Sequence, residues 1–447
     1  EKARAKSGDA SLQLTDLRQD EDVLDTWFSS WLWPISVFDG IRNPDNEEIR
    51  YYYPTADLVT GPDIIFFWVA RMIMAGYEYR GEKPFGNVYF TGIVRDKIGR
   101  KMSKQLGNSP DPLDLIAQYG ADGMRVAMLL SSSAGNDVMF DEALCEQGRN
   151  FGNKIWNAYR LVNGWTVDGT LAQSDNDRLA GEWFRQTLRR AVAELDGDFG
   201  SYRISEAFML LYKLFWDDFS GWYLEMIKPA YGAPINPRTV DEAKGFFDAL
   251  LRLLHPFMPF VTEELYQALP GSAETIMTQA WPTVDEAHNW PEEEEAFEKV
   301  MDYIKAVRTM RTEMNVHPAK KTSMIIETAD ATPFQNAQVY LAKFAFATEV
   351  TFTAKYEGST DGMVQVSTHA ARGFIPMMEL IDREKELARL NKEKAKAEKE
   401  LAMFENQLAN PKFVERAPAA LVEEIRAKRT NSQSKLANIE QSIKALG

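Results

Sequence analysis

The most informative stretch of the sequence is residues 99–108, Gly99-Arg100-Lys101-Met102-Ser103-Lys104-Gln105-Leu106-Gly107-Asn108. Two lysines lie three residues apart between glycines, which give a loop backbone unusual freedom. Such a loop suits a reaction step in which pyrophosphate departs, because ammonium groups stabilise the charge that develops on it. Two lysines alone also fit a solvated basic turn, so the flanking sequence has to decide between the two interpretations.

Composition limits what the chain can be. Its 447 residues carry a formal net charge of −15, which argues against indiscriminate attraction to nucleic acid and requires any RNA contact to be local. The length suggests roughly three domains of about 150 residues. Cys145 is the only cysteine, so neither a disulfide nor a protein-bound structural metal is expected. The absence of an apolar run of about 18 residues predicts no membrane span, and we expect a cytoplasmic protein.

Periodicity in the first two thirds of the chain predicts two segments. Residues 1–145 alternate β-rich and helical runs, with a strand at 87–90 and helices at 63–74 and 111–130. Residues 146–290 place apolar side chains at helical spacing, which predicts a bundle of four or five helices.

Two further segments follow. Residues 291–375 combine a helix at 292–313 with β-like runs at 322–327, 349–353 and 363–367, which indicates a small α/β module. Residues 376–447 carry a heptad repeat that is interrupted by prolines, so we expect an antiparallel coiled coil about 45 to 50 Å long. Its predicted seam in the first helix includes Leu387, Leu390, Ala397, Leu401, Phe404 and Leu408.

The motif Lys101-Met102-Ser103-Lys104 resembles the KMSKS signature of the class I aminoacyl-tRNA synthetase family, and Leu106-Gly107-Asn108 and Asp111-Pro112 strengthen the resemblance. Gln105 departs from the final serine of that signature and leaves both lysines in place. The resemblance implies that residues 1–145 are part of a Rossmann-like catalytic domain in a multidomain, mainly α protein. It implies catalytic roles for Lys101, Ser103 and Lys104, and ATP binding by Gly61, Asp63, Lys101, Met102 and Lys104.

A second stretch, Asp25-Thr26-Trp27-Phe28-Ser29-Ser30, resembles the valyl branch of that family, whereas the isoleucyl branch usually has Asp-Ser-Gly there. Ile64 and Trp68 are four residues apart, so periodicity alone assigns them to a buried helix face. The resemblance implies instead that Trp27, Ile64 and Trp68 line the amino-acid pocket. Because such a pocket cannot strongly reject threonine, an editing site elsewhere is expected.

The helical segment, around residues 149–157, 215–225 and 255–260, resembles the anticodon-binding bundle of the same family, and residues 410–418 resemble the tip of the coiled coil of the valyl branch. Arg149, Asn153 and Lys154 fit a tRNA contact and an ordinary helix start about equally well. Basic side chains on the coiled coil fit either RNA phosphates or a solvated face. Those assigned to RNA are Lys392, Lys396 and Lys399.

The resemblance implies ATP-dependent activation of valine, with Mg²⁺ accompanying ATP, and transfer of valine to its tRNA by a monomer. No His-x-Gly-His arrangement and no editing domain occur in the sequence, so we expect a chain that starts mid-protein and makes no aminoacyl-adenylate by itself. Two alternatives remain open, a standalone tRNA-binding or assembly protein derived from a synthetase, and an isoleucyl-tRNA synthetase. The intact lysine motif argues against the first, and the heptads and the lack of further cysteines argue against the second.

Overall fold

The computed structural model describes residues 1–131, 136–283, 289, 291–317, 319–376, 380, 383–411 and 419–446. The chain divides into two compact units, the first made of residues 1–173 and 187–287 and the second of residues 174–186 and 288–447. The described residues are mostly helical and include small sheets, which confirms the prediction of a mainly α protein built from several parts. None of the helices in the described ranges combines the length and apolarity that a membrane crossing needs.

The α/β part of the first unit contains two parallel strand pairs. Strand β1 pairs with β2, and β3 pairs with β4. The strand predicted at 87–90 is confirmed as the end of β2. The strands are β1 (Thr55–Thr60), β2 (Phe85–Phe90), β3 (Val94–Arg95) and β4 (Val138–Met139). The helices are α1 (Lys2–Ser7), α2 (Thr26–Ser30), α3 (Trp33–Ser36), α4 (Glu47–Tyr52), α5 (Ala70–Arg80), α6 (Pro112–Tyr119) and α7 (Ala121–Ser131).

Two helix predictions in this part were wrong in form. The segment predicted as one helix over 63–74 begins as a 3-10 turn (Pro62–Ile64), continues as a π-helical turn (Ile65–Val69) and becomes regular only in α5. A π-helical turn inserts a residue and shifts the side-chain faces, so Ile64 and Trp68 do not follow simple α-helical spacing. The helix predicted over 111–130 is two helices, α6 and α7, because Gly120 between them adopts φ +80°.

Helix α7 crosses α8 (Ala143–Asn163) at two glycines. A Cβ on Gly148 would lie 2.6 Å from the carbonyl oxygen of Gly123 and 2.9 Å from Cβ of Val126. The two helix backbones therefore approach as closely as only glycine permits. The crossing places the buried Cys145 in one core with Leu115, Ala127 and Phe140.

The bundle of the first unit begins with α8 and is held by an aromatic core. Phe151 is fully buried and contacts the rings of Phe208, Tyr212 and Phe215, at centroid distances of 6.1, 4.5 and 5.9 Å. The prediction of four or five helices is confirmed within the described residues. They are α8, α9 (Asp175–Gly200), of which residues 187–200 belong to this unit, α10 (Ile204–Lys213), which continues through a π-helical segment (Leu214–Tyr223) into α11 (Leu224–Ile227), α12 (Pro237–Leu254) and α13 (Pro259–Gln267).

Polar contacts join α7 to the turn before α13. Arg125 donates from Nε to the carbonyl oxygen of Phe257 at 3.0 Å and from Nη2 to that of Pro256 at 2.9 Å. Asp122 accepts hydrogen bonds from the backbone N–H groups of Val261 (2.7 Å) and Phe260 (3.3 Å) at the start of α13. Burial raises the pKa of Asp122 despite these bonds, because desolvation disfavours the charged form. Asp122 and Arg125, which lie one turn apart on α7, thus bind the bundle to the α/β part.

The second unit contains a four-stranded sheet in the order β6-β5-β8-β7. The runs predicted at 322–327 and 363–367 are confirmed as β5 and β7, and 349–353 lies within β6. Strand β8 was not predicted. The strands are β5 (Thr322–Glu327), β6 (Ala347–Thr353), β7 (Met363–Ser367) and β8 (Arg372–Pro376), and the helices around them are α14 (Pro291–Glu313), α15 (Thr332–Asn336) and α16 (Gln338–Phe344).

Two long helices, α17 (Arg383–Ala409) and α18 (Ala419–Leu446), pack against each other in the second unit. Their described core contains Leu390, Ala397 and Ile439, which are buried, with Leu436 and Ile443 packed beside them. Lys394 on α17 forms an ion pair with Glu440 on α18, with 2.7 Å between Nζ and Oε1. Residues 412–418, predicted as the tip between the helices, lie outside the described residues.

The close crossing of α7 and α8 gives a first testable prediction. Gly148→Ala is expected to destabilise the protein by about 1 to 3 kcal/mol, because the added methyl group overlaps the Gly123 carbonyl. Gly152→Ala is the matched control on the same helix, since its Cβ would meet only Met258 Cε at 3.8 Å. The control should stabilise by about 0.5 to 1 kcal/mol through helix propensity. Urea unfolding measures both, and equal effects of the two substitutions would contradict the close-packing account.

Candidate functional site

The loop that follows strand β3, residues 96–108, is called here the lysine loop. Asp96 accepts hydrogen bonds from the backbone N–H groups of Ile98 (3.2 Å) and Arg100 (2.9 Å) and from Arg100 Nε (2.7 Å). A bond from the Asn108 amide, together with those from Arg100 and Ile98, holds the pKa of Asp96 well below its ordinary value. The first turn of the loop is therefore built around a carboxylate that stays ionised.

Asn108 closes the lysine loop. Its Nδ2 donates to Asp96 Oδ2 at 3.0 Å and to the carbonyl oxygen of Lys101 at 3.3 Å, and its Oδ1 accepts from the backbone N–H of Ser103 at 2.9 Å. One amide side chain thus ties the end of the loop to its beginning and to the motif between them. The sequence had assigned no role to Asn108. The one sequence feature that pointed to Asn108 was its position at the end of the motif, and that position alone does not indicate a chemical role.

Glycines make the two bends of the lysine loop possible. Gly99 has φ +83° and Gly107 has φ +62°, both in the left-handed region that favours glycine. Gly99 N–H donates to the Asp96 carbonyl at 2.9 Å, and Gly107 N–H donates to the Lys104 carbonyl at 3.2 Å. The glycines were predicted to confer mobility, and in this structure they form defined turns.

The two lysines of the motif are exposed, and the two residues between them are half-buried. Met102 is half-buried and packs against the core of Leu115, Ala127, Phe140 and Cys145, whereas Lys101 and Lys104 are exposed. Ser103 is half-buried, and its hydroxyl oxygen accepts a hydrogen bond from the Leu106 N–H at 3.2 Å. Met102 therefore anchors the loop, Ser103 shapes it, and the two ammonium groups are presented to solvent.

Charge pairing distinguishes the motif lysines from their neighbours. At the base of the loop, Lys97 pairs with Asp141 (2.7 Å from Nζ to Oδ1) and Arg95 pairs with Asp137. Within the part of the chain that the structure describes, no ion pair involves Lys101 or Lys104. Among these residues the two motif lysines thus have no counter-charge, which favours binding of an anionic ligand.

Gly61 and Asp63 follow the carboxyl end of β1, just as the lysine loop follows the carboxyl end of β3. Ligands of parallel α/β sheets bind at this end of the strands. Gly61 has φ −84°, and a Cβ there would meet only Ile93 Cδ1 at 3.7 Å, so neither backbone conformation nor internal packing requires glycine. Gly92 is different, because a Cβ there would lie 1.9 Å from the carbonyl oxygen of Asn136. The sequence did not single out Gly92.

The predicted pocket residues lie on three segments: Trp27 on α2, Ile64 at the end of the 3-10 turn, and Trp68 on the π-helical turn, which contacts both of the others. Trp68 donates from Nε1 to the carbonyl oxygen of Ser30 at 3.1 Å and stacks on Trp33 at a centroid distance of 5.7 Å. Trp27 lies 6.2 Å from the ring of Phe67, with the Arg71 guanidinium 5.8 Å from its ring centroid. Trp27, Ile64 and Trp68 are all half-buried. They are held by packing and remain partly accessible.

The tRNA-contact candidates on α8 are partly engaged within the chain. Arg149 pairs with Glu146 (3.5 Å) and lies over the ring of Tyr119, and Lys154 lies over the ring of Trp216 at 5.3 Å. Asn153 is exposed. On the same helix the structure also exposes Trp156, three residues after Asn153, and the sequence analysis missed it. Helical spacing from Asn153 was the signal that could have found it.

On α17, Lys392, Lys396 and Lys399 are exposed and recur at spacings of four and three residues, hence along one face of the helix. No ion pair of these three occurs among the described residues, in contrast to Lys394, which pairs with Glu398 and Glu440. Across the described ranges, no group of three His, Cys, Asp or Glu side chains could hold a metal ion.

Three family models match successive parts of the chain. Residues 2–141 match class I tRNA synthetases (I, L, M and V). Residues 181–326 match the anticodon-binding domain of tRNA ligases, and residues 382–447 match the valyl-tRNA synthetase tRNA binding arm. The matches follow the order in which the lysine loop, the bundle and the helix pair occur.

Curated relatives are similar along the whole chain. A valine–tRNA ligase of Parabacteroides distasonis is 53% identical over 451 residues, which covers 100% of this chain and 50% of the relative. Valine–tRNA ligases of Phocaeicola vulgatus and Clostridium perfringens are 53% and 41% identical to this chain. These matches cover 99% and 96% of this chain and 50% of each relative. The chain therefore spans about half the length of the curated relatives it matches.

A solved structure supports the fold alone. The ternary complex of the Agrobacterium radiobacter K84 agnB2 LeuRS with tRNA and LeuAMS has a TM-score of 0.50 and 21% identity. The match covers 64% of this chain and 36% of that one.

The lysine loop gives the second testable prediction. Asp96→Ala should speed hydrogen–deuterium exchange of the peptide covering residues 96–108 several-fold at pH 7, because the loop loses the acceptor of four hydrogen bonds. Asp168→Ala removes a carboxylate that similarly accepts from Thr170 in another turn, and it should leave this peptide unchanged.

The same carboxylate sets a pH dependence. Because the pKa of Asp96 is lowered on folding, its stabilisation of the loop is full above the ordinary value of 3.8 and declines as pH falls from there through the folded pKa. Exchange of the 96–108 peptide, corrected for intrinsic rates, should therefore be constant between pH 7 and 5. Exchange that doubles or more within that range would contradict the assignment.

Proposed function

This chain belongs to the valyl-tRNA synthetase family, and we propose that, in the longer protein, it supplies the charge-stabilising lysines and the tRNA-binding surfaces for attaching valine to its tRNA. The observation that carries the proposal is the lysine loop, in which Met102 is anchored in a core while Lys101 and Lys104 are exposed and unpaired among the described residues. A loop of this kind holds its backbone in place and presents two cations to solvent, where a ligand can reach them.

The proposed reaction has two steps. The valine carboxylate attacks the α-phosphate of ATP, which enters with Mg²⁺ as a substrate complex, and pyrophosphate leaves as the valyl-adenylate forms. The 3′-terminal adenosine hydroxyl of the tRNA then attacks the activated carbonyl, valine is transferred and AMP leaves. Lys101 and Lys104 contribute to the first step by stabilising the negative charge that accumulates on the departing pyrophosphate. Ser103 acts by holding the turn that contains Lys104, through the hydrogen bond that its hydroxyl accepts from the Leu106 N–H.

Substrate positioning is proposed for the carboxyl end of β1. Gly61 leaves open space that its own chain does not fill, so ATP or the adenylate can approach the backbone there. Asp63 is exposed beside it and is proposed to bind ribose or the amino group of valine. Trp27, Ile64 and Trp68 are proposed to bound the side-chain pocket, since they are half-buried on contacting segments and keep accessible faces.

The proposed domain roles follow the sequence segments. Residues 1–145 are assigned to catalysis, 146–290 to the anticodon, 291–375 to a connecting module, and 376–447 to a coiled-coil arm that binds tRNA. The packing of Leu390 and Ala397 against Ile439 supports the antiparallel arm. The row Lys392, Lys396 and Lys399 supports RNA contact, because cations that form no ion pair with a described residue are available to phosphates.

The lysine loop gives the third testable prediction. In the longer protein, Lys101→Ala and Lys104→Ala should each lower kcat for valine-dependent ATP–pyrophosphate exchange by about 10² to 10³-fold, with little change in KM for valine, because each removes charge stabilisation of the transition state. Lys97→Ala is the matched control, since Lys97 lies in the same loop but is paired with Asp141. Its kcat should change less than about threefold. Activity retained by both motif variants would refute the assignment.

The arm gives the fourth testable prediction. Lys392→Ala, Lys396→Ala and Lys399→Ala combined in the 447-residue chain should weaken binding of a valine tRNA transcript and reduce the slope of log K against log salt concentration by about 2 to 3. The control combines Lys299→Ala, Lys305→Ala and Lys355→Ala, which removes three lysines that are paired with carboxylates in the same unit. If the control lowers the slope as much, net charge and not the lysine row is responsible.

A further inference from the structure

Arg311 in the last turn of α14 is a buried cation that holds a loop. Its side chain is part of a residue only 4% exposed, and its Nη2 donates to the carbonyl oxygens of Lys320 at 2.6 Å and His317 at 3.4 Å. The guanidinium carbon lies 4.7 Å from the ring centroid of Phe346. One planar group therefore fastens the segment after α14 to the body of the second unit.

The charge of this guanidinium is not compensated within the described residues. No ion pair of Arg311 occurs among them, and its Nη1 is buried without a hydrogen-bond partner. Burial lowers the pKa of Arg311, because desolvation disfavours the charged form. A buried guanidinium normally has a carboxylate partner, since an unpaired buried charge is unfavourable. Arg311 instead leaves a positive charge beneath the loop that it holds.

The loop itself, residues 315–317 and 319–321, has a fixed backbone. Asn315 adopts φ +56°, and the Val316 N–H donates to the Arg311 carbonyl at 2.8 Å. The Ala319 N–H donates to His317 Nδ1 at 3.2 Å, and the Lys320 N–H donates to the His317 carbonyl at 3.0 Å. The backbone that carries the side chains at the end of the loop is therefore held in a defined conformation.

Three further cations lie close to Arg311 or to the end of the loop in sequence: Arg308 lies three residues before Arg311 on α14, and Lys320 and Lys321 end the loop. Arg308 and Lys321 are exposed and Lys320 is half-exposed, and no ion pair of any of them occurs in the described part of the chain. Lys299, Lys305 and Lys355 in the same unit are each paired with a carboxylate. In a chain of net charge −15, three accessible cations and the buried Arg311, none of them in an ion pair with a described residue, make this segment locally basic and suit it to an anionic ligand.

We infer that Arg308, Lys320 and Lys321 form a second contact with RNA phosphates in this unit, separate from the lysine row of α17 and positioned by Arg311. The inference rests on the proposed function, because it takes tRNA as the anion. RNA is favoured over an acidic protein because the α17 row of the same unit likewise has no ion pairs among the described residues, and phosphates are the ligand proposed for that row. Arg311 is a positioning residue, since its bonds hold the loop backbone and its charge adds to the local potential.

The experiment compares variants of the 447-residue chain for binding of a valine tRNA transcript by fluorescence anisotropy over a series of KCl concentrations. Lys320→Ala with Lys321→Ala should weaken binding about 10- to 50-fold at 0.1 M salt and reduce the slope of log K against log salt by about 1.5 to 2. Lys299→Ala with Lys305→Ala is the charge-matched control and should change neither quantity. Both pairs lie on the surface, so circular dichroism melting is expected to confirm folded variants.

Arg311→Lys tests the positioning role separately. The lysine keeps the positive charge, but it lacks the planar guanidinium that binds both carbonyl oxygens. A reduced salt slope in the folded variant supports positioning, because a merely structural role would lower the folded fraction without altering the slope.

The remaining outcomes are distinguishable. If the Lys320/Lys321 variant binds with unchanged affinity and slope while the α17 triple variant is weakened, this inference is overturned and the proposed function stands. If the unaltered chain does not bind the transcript, both fail. Loss of poly-glutamate binding with unchanged tRNA binding also overturns the inference and points to an acidic protein partner.

Discussion

Helices α7 and α8 cross with almost no space between their backbones, and much of the first unit depends on that contact. Gly123 and Gly148 permit it, since a Cβ on Gly148 would lie 2.6 Å from the Gly123 carbonyl. The crossing creates the core that receives Met102 of the lysine loop. The same α7 carries Asp122 and Arg125, which bind the turn at the start of α13. One helix thus supports the lysines on one side and the bundle on the other.

The distribution of ion pairs separates structural from available charge. Lys97, Arg95 and Lys394 have carboxylate partners and fasten a loop base or a helix pair. Lys101 and Lys104 on the loop, and the three-lysine row on α17, have none in the described residues. The charge of a paired lysine is offset by its carboxylate partner, whereas the charge of an unpaired lysine can attract an anionic ligand. The acidic net charge of the chain is therefore compatible with anion binding, because grouped cations without ion pairs among the described residues can make the local potential positive.

Sequence reading succeeded where a motif or a strong repeat was present. The lysine motif led to the family, and the strand at 87–90 and the helix pair near the C-terminus were visible as patterns. It failed where geometry depends on one residue or on distant packing. The positive φ of Gly120 divides one predicted helix into two. The π-helical turn at Ile65–Val69 has no periodic signature in the sequence. Strand β8 lacks the alternation of apolar and polar residues, and a Cβ on its Gly373 would meet the hydroxyl group of Tyr303. The predicted roles of Gly61, Asp63 and the tryptophans, and the four segment boundaries, remain predictions.

The core beneath the lysine loop has a practical consequence for observing the loop. Cys145 is the only thiol in the chain, is fully buried, and burial raises its pKa. A thiol in this state is a poor nucleophile, because thiolate is the reactive form. A single cysteine introduced at an exposed loop position would therefore be the one site that reacts readily with a maleimide dye. Fluorescence from that dye would report on the surroundings of the loop with and without substrates, in a protein that needs no prior removal of native cysteines.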